Sequence, residues 1–414
     1  MDNNKYLQLI KFEDVMFFHQ SSLNQGKSPF FTGNYTPPLF DVGKKKPGHQ
    51  LMFFGDSLFD QGKTSSFLAP FGIVPFPEPF YSKGKTSDGL VLGEKIAEQL
   101  GIIPDSIIPR ELELLPSVTP PENNINIFEN NLNYAYAGAT TGFFGSVGNN
   151  LQNFPMGLLS QVEQFHEDFE LLNQTPPYKN LIKKDLIHLD GIISSGSNDV
   201  FETLAEPNIG NLLAVLSTPD DNSDNQFLIN QTADNIFNNI KDAINGNPER
   251  EIAGIGDRLN NIVIIGLISL GDIPFAIQVD QWVDQTIDEL LGFELDLSGQ
   301  TRDFLTGISA AVNTKLMDEF DNPLSDVKDV FVIDGFEIFE NAQSVWRENL
   351  GDLNPISDIS YLDYVLGNSN LPGGLSKEQF FFLDGSHPLK ASNHLMASEI
   401  TSQVLAEFPD FYFG

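Results

Sequence analysis

The chain has 414 residues, of which 57 are acidic and 23 basic, for a formal net charge of −34. A surface of that sign repels nucleic acid and anionic lipid, which argues against a nucleic-acid enzyme and against tight docking on anionic bilayers, and favours neutral or soluble small molecules as partners. Cysteine is absent, yet 35 phenylalanines within a hydrophobic fraction of 41% supply enough core material that neither disulfides nor a structural metal are needed.

Residues 1–46 read as an N-terminal extension, in which Phe12, Val15, Met16, Phe17 and Phe18 pack on the domain and Lys44, Lys45 and Lys46 form a solvated linker. The remainder, 47–414, reads as one domain with insertions around 103–128 and 279–298. Apolar runs predict strands at 51–54, 131–136, 186–193, 261–267 and 329–333. Helical spacing of apolar residues predicts helices at 89–100, 156–172, 231–245, 301–320 and 391–406. Strands alternating with helices imply an α/β domain whose parallel sheet is covered on both faces.

Residues 103–128, rich in Pro and Asn, are expected to be loop. Residues 279–298 carry Trp282, Ile287, Leu290, Leu291, Phe293 and Leu295 among acids, the pattern of an amphipathic helix, read first as packing on the core with a mobile lid above the acyl site as the alternative. The acidic stretch 220–225 lacks the glycine and the closing glutamate of a calcium loop, and reads as a solvated loop that starts a helix. No run approaches the ~20 apolar residues that span a bilayer. The first residues lack a basic start and an apolar core, so cytoplasmic residence is the default expectation, with export by another route left open.

The chemistry is concentrated where apolar runs break. Residues 52–62 run from Met-Phe-Phe into Gly55, Asp56 and Ser57, a strand-to-turn junction that can present a nucleophilic hydroxyl. A serine at neutral pH needs a base, a group that orients the base, and donors for an oxyanion. Asp384 stands three residues before His387, a spacing that lets the carboxylate reach the imidazole on one turn. Donors are available at Gly138 within residues 133–139 and at Asn198 within Gly196, Ser197, Asn198 and Asp199. Ser57, Gly138 and Asn198 all follow strand ends, the edge at which open α/β sheets bind ligands. The bland role for Ser57 is a helix cap. His188 reads as a sheet histidine, His394 as helix packing, and His19 and His49 lie outside every block. With no Cys and no His-Glu-x-x-His, neither a metal nor a cofactor is expected.

These four blocks, in this order, resemble the GDSL family of lipases and esterases, also called SGNH hydrolases. Carried over position by position, the resemblance makes Ser57 the nucleophile and an oxyanion N–H donor, Gly138 and Asn198 the other donors, His387 the base and Asp384 its orienting partner. Asp60 and Gly62 follow the serine as in many members. Residues 84–89, then Leu100 and Gly101, resemble a further family segment in which Lys85 replaces arginine and Asp88 replaces asparagine. Those exchanges leave the catalytic assignment alone and bear on local hydrogen bonding. The resemblance implies a three-layer α/β/α flavodoxin-like fold with a parallel sheet of about five strands. It implies a serine-dependent carboxylic ester hydrolase that works through an acyl-enzyme on lipid-like or acylated small-molecule esters, without a cofactor. Acyl transfer to an alcohol or sugar by the same acyl-enzyme is the alternative, and a non-catalytic acidic protein on a hydrolase scaffold is a third. The motifs are silent on oligomeric state.

Overall fold

The computed structural model describes residues 49–69, 72, 74–110, 130–146, 151–152, 154–173, 188–204, 222–291, 299–320, 329–351 and 353–411. All of them belong to one unit spanning 46–413, and the expected extension over 1–46 lies outside the described residues. The strands are β1 (His49–Gly55), β2 (Ile108–Pro109), β3 (Leu132–Asn133), β4 (His188–Ser194), β5 (Asn261–Ile265) and β6 (Val330–Ile333). They form a single all-parallel sheet in the order β2-β3-β1-β4-β5-β6.

Central parallel strands are covered on both faces and need continuous apolar runs rather than alternation. Leu51, Met52, Phe53 and Phe54 of β1 are all buried, as are Ile262, Val263, Ile264 and Ile265 of β5. The register aligns Phe53 with Ile192 and Ile192 with Val263, so the middle three strands finish level, with Gly55 opposite Ser194. Helices α1 (Lys63–Leu68), α2 (Leu92–Gln99), α3 (Leu158–Asn173), α4 (Ser197–Glu202) and α5 (Asn222–Asn245) belong to the first half. Helices α6 (Pro274–Leu291), α7 (Gln300–Phe320), α8 (Gly335–Leu350), α9 (Tyr361–Leu366) and α10 (Lys390–Glu407) follow. Two packed groups cover the sheet: α10 lies against α2 and α8, and α5 lies against α3 and α7. The result is the expected three-layer α/β/α arrangement with the flavodoxin-like character of the SGNH fold.

The expectations differ from the structure in detail. The sheet has a sixth strand, β2, inside the segment 103–128 expected to be loop; residues 111–128 of that segment lie outside the described residues. It is two residues long and ends in Pro109, which an edge position tolerates. The strand expected at 131–136 shortens to Leu132–Asn133 because the Asn133 side chain turns the chain, accepting from Ala135 N at 2.9 Å and donating to Phe59 O at 2.7 Å. Strand β4 begins at His188; residues 186–187 lie outside the described residues.

Helix α5 starts at Asn222, nine residues before the expected 231, so described positions of the acidic stretch already belong to its first turn. The amphipathic segment is helical from Pro274, a first-turn proline, to Leu291, and 292–298 lie outside the described residues. Its described part packs inward: Ala276 and Val283 are buried, and the Asp280 carboxylate accepts from Gly299 N and Thr301 N at the start of α7. Helices α8 and α9 had no counterpart in the expectations. Among the described residues, no helix is long and apolar enough to cross a membrane.

Candidate active site

Strand β1 ends at Gly55 with φ of +145°, and a Cβ there would lie 1.9 Å from the Ser194 carbonyl oxygen of β4. Only glycine fits. The chain then turns: Phe59 N and Asp60 N both donate to Asp56 O at 3.1 Å, and Leu58 N donates to the Asp56 side chain at 3.2 Å. The turn is held from outside by Thr86, whose hydroxyl donates to Ser57 O at 2.5 Å. Ser57 therefore sits partly exposed on a turn and is not a helix cap. That work falls to Asp60, which accepts from Lys63 N at 2.7 Å and Thr64 N at 3.1 Å in α1.

Asp60 also accepts from Ala137 N at 2.9 Å, tying the Ser57 turn to the loop after β3. Gly138 follows in that loop with φ of +81°. Among the described residues, neither Ser57 N–H nor Gly138 N–H meets an acceptor. Most backbone donors in a folded protein are satisfied, so two open ones on adjacent turns stand out.

Asn198 lies on α4 beyond β4 and is 8% exposed; its Nδ2 donates to Ala139 O at 2.9 Å, using one of two amide hydrogens. Its neighbour Asp199 accepts from Thr141 N at 2.8 Å and Thr141 Oγ1 at 2.7 Å. The start of α4 and the Gly138 loop are thus bonded three times over. Burial pushes the Asp199 carboxyl up to about 7, against the two Thr141 hydrogen bonds, with Glu202 adding to the rise.

The turn at 384–387 is built around one carboxylate. Asp384 Oδ1 accepts from Ser386 N at 2.9 Å and His387 N at 2.8 Å, Oδ2 accepts from Tyr81 OH at 2.6 Å, and His387 Nδ1 lies 2.8 Å from Oδ2. A carboxylate is an acceptor, so Nδ1 carries the hydrogen and Nε2 is left as the basic nitrogen. Burial alone depresses the imidazole, but the Asp384 charge, its hydrogen bond and the Asp56 charge outweigh it and hold His387 above its ordinary value. Burial alone would raise Asp384, but the His387 charge and the hydrogen bonds from His387, Tyr81 and Ser386 prevail and hold it below the ordinary carboxylate value. Asp56, next to Ser57, is pushed up to about 6 by burial, eased by the Leu58 N–H and by the His387 charge.

The structure joins Asp384 to His387 and joins the loops of Ser57, Gly138 and Asn198 to one another. Ser57 Oγ itself makes no hydrogen bond to His387 or to any other described residue. The other described histidines lie elsewhere. His188 stacks on His49 with ring centroids 4.5 Å apart at the opposite end of β1 and β4, and His394 meets Gln99 on α2.

The family model for GDSL-like lipase/acylhydrolase proteins matches residues 51–400, a span that holds all of these segments. The chain belongs to that family. Membership gives the GDSL protein a coarse activity, ester hydrolysis, and a small-molecule ester as its substrate class. None of the curated proteins matches it. In this GDSL-family chain the two exchanged positions have settled partners. Lys85 donates to Glu94 at 2.6 Å in a buried pair, while Asp88 accepts from Lys390 N at 2.7 Å and pairs with Lys377 at 2.7 Å. Sequence reasoning missed Tyr81, whose only signal was an aromatic near the glycine-rich segment. It also left Asp60 and Asp199 without roles, although both stand beside motif residues.

Proposed function

We propose that this GDSL-family protein is a serine-dependent carboxylic ester hydrolase that works through an acyl-enzyme. Ser57 Oγ attacks the ester carbonyl while His387 Nε2 takes its proton, and Asp384 holds the ring and balances the imidazolium. The oxyanion is received by the N–H groups of Ser57 and Gly138 and by the second amide hydrogen of Asn198. The alcohol leaves with the proton from His387, and water attacks by the same route in reverse to release the acid.

The observations that support this reading are the locked Asp384–His387 couple, whose imidazole feels the charge of Asp56 next to Ser57, and the unmet N–H groups of Ser57 and Gly138. A missing Ser57–His387 hydrogen bond is compatible with it, because such bonds often form only with substrate bound. The test uses a short p-nitrophenyl ester and a fluorophosphonate probe. Ser57→Ala is expected to abolish both turnover and labelling, and Asn198→Ala to lower kcat by about 10²–10³ while leaving a measurable remnant. Full activity in Ser57→Ala, or an unlabelled parent, would defeat the assignment.

A further inference from the structure

Strand β3 turns away at Asn133 while β1 runs on to Gly55, so the last residue of β1 finds partners outside the ladder. Tyr134 N and Tyr136 N still reach back to Phe53 O and Gly55 O, at 2.7 and 3.1 Å. Gly55 N–H instead meets a side chain. It donates to Gln161 Oε1 at 2.8 Å, and Gln161 Nε2 donates back to Gly55 O at 2.8 Å. Nε2 also donates to Met156 O at 2.9 Å, so both amide hydrogens are used, in a side chain that is 0% exposed. A buried amide is costly unless its groups are matched, and one so matched is held rigidly.

Gln161 stands in the first turn of α3, and the same turn holds the loop of Gly138. Leu158 N donates to Thr140 O at 2.9 Å and Leu159 N to Gly142 O at 3.0 Å, while Ser146 N donates to Gly138 O at 2.7 Å. The start of α3 is therefore a common anchor for the end of β1, two residues before Ser57, and for the loop that carries Gly138. The fit leaves no slack: a Cβ on Gly55 would lie 1.9 Å from Ser194 O, and one on Gly157 would lie 2.2 Å from Gly142 O. Asp60 ties the turn to Ala137 after Ser57, and Gln161 ties it to α3 before Ser57.

Building on the ester hydrolase reading above, we propose that Gln161 is a positioning residue for the reaction: its amide ties the end of β1 to the helix that holds the Gly138 loop, and so sets the Ser57 hydroxyl and the N–H groups of Ser57 and Gly138 against one another. Gln161 touches no reacting atom and acts through Gly55. Without it the Ser57 turn loses its alignment to Gly138. The loss falls on the transition state, where the oxyanion has formed, more than on the bound ester.

The experiment measures kcat and KM of the full chain for p-nitrophenyl butyrate, the rate of fluorophosphonate labelling, and thermal melts at each pH. Gln161→Met keeps the length of the side chain and loses its three hydrogen bonds. It is expected to lower kcat and the labelling rate together by about 10²-fold, with KM moved by less than about threefold. Gln161→Glu is the rescue. As a neutral acid it accepts from Gly55 N and donates to Gly55 O; ionised, it has no hydrogen to give and faces the Gly55 and Met156 carbonyl oxygens. Burial favours the neutral form, so kcat relative to the parent is expected to lie within about tenfold at about pH 5 and to fall by about a further tenfold towards about pH 8. Taking the ratio to the parent cancels the titration of His387 and Asp56. Parent-level kcat in a folded Gln161→Met, a loss confined to KM, or a Gln161→Glu ratio that does not change with pH would overturn the role. So would activity lost only where the melts show unfolding, which makes Gln161 a structural residue alone. Any of these beside a parent that is active and labelled at Ser57 sinks the positioning role alone, whereas an unlabelled, inactive parent sinks the hydrolase reading beneath it.

Discussion

Replacing Tyr81 by phenylalanine removes one oxygen and keeps the ring that packs against Phe76 at 5.3 Å. The lost hydroxyl is a 2.6 Å donor to Asp384 Oδ2, and a hydrogen bond to a charged group contributes about 1.5–3 kcal/mol. Three donors from Ser386 and His387 remain on the carboxylate, and its side chain is 18% exposed, so water partly compensates and the loss falls near 1.5 kcal/mol. That is about a tenfold effect on an equilibrium or a rate. Asp384 then shares its charge with fewer donors, becomes more basic and pulls harder on the imidazolium.

With His387 as the proposed base, activity is expected to rise with pH as its proton is lost, and the acid limb of kcat/KM to move to higher pH in Tyr81→Phe. Stability follows the same linkage. The folded pKa of Asp384 lies below its unfolded value, so its contribution is present above the unfolded value near 3.8 and is lost as pH falls through the folded one. In the variant the folded value rises, and acid unfolding begins at higher pH. The assay is a pH profile with p-nitrophenyl butyrate beside thermal melts of parent and variant, whose midpoints should differ by a few degrees. A variant with an unmoved acid limb and an unmoved midpoint would refute this account of Tyr81.

Three further outcomes are expected. Asp60→Ala removes bonds to Lys63 N, Thr64 N and Ala137 N together, and should cost about 2–4 kcal/mol by urea unfolding with a drop in kcat larger than any rise in KM; a KM-only effect would count against it. Asp199 has a folded pKa of about 7 against an ordinary 3.8, so the folded state binds its proton more tightly and stability falls as pH rises from about 4 through about 7. Asp199→Asn should flatten that slope in melts, and an unchanged slope would contradict the assignment. Lys85→Met strands a buried Glu94 and should destabilise by about 3–5 kcal/mol, and adding Glu94→Leu should restore much of it; additive losses would show that the pair is not coupled.

The parts legible in the sequence were those written locally. The runs at 51–54 and 262–265 announced buried parallel strands because their apolar residues are unbroken, although the strand expected at 261–267 stops at Ile265, and Asp384 and His387 could be paired because one turn contains both. Strand β2 could not be read: two residues ending in proline carry no period, and only pairing with β3 makes them a strand. The strand at 131–136 was overread because its apolar pattern continues while the Asn133 side chain bends the backbone away. Helix α8 did leave a trace, with Asp334 accepting from Phe336 N as its cap and Ile338, Phe339, Ala342 and Trp346 at helical spacing on its buried face. Tyr81 lay beyond reach, since its partner Asp384 is 303 positions away.

The single carboxylate of Asp60, shared between α1 and Ala137, has a consequence for divergence among related chains. The amides at 57 and 138 are held in register by that carboxylate together with Tyr136 N on Gly55 O and the Asn133 amide on Phe59 O. Loops around the rim are thereby free to lengthen, shrink or change polarity, and so to trade one ester for another, while the pocket that would cradle the carbonyl keeps its dimensions.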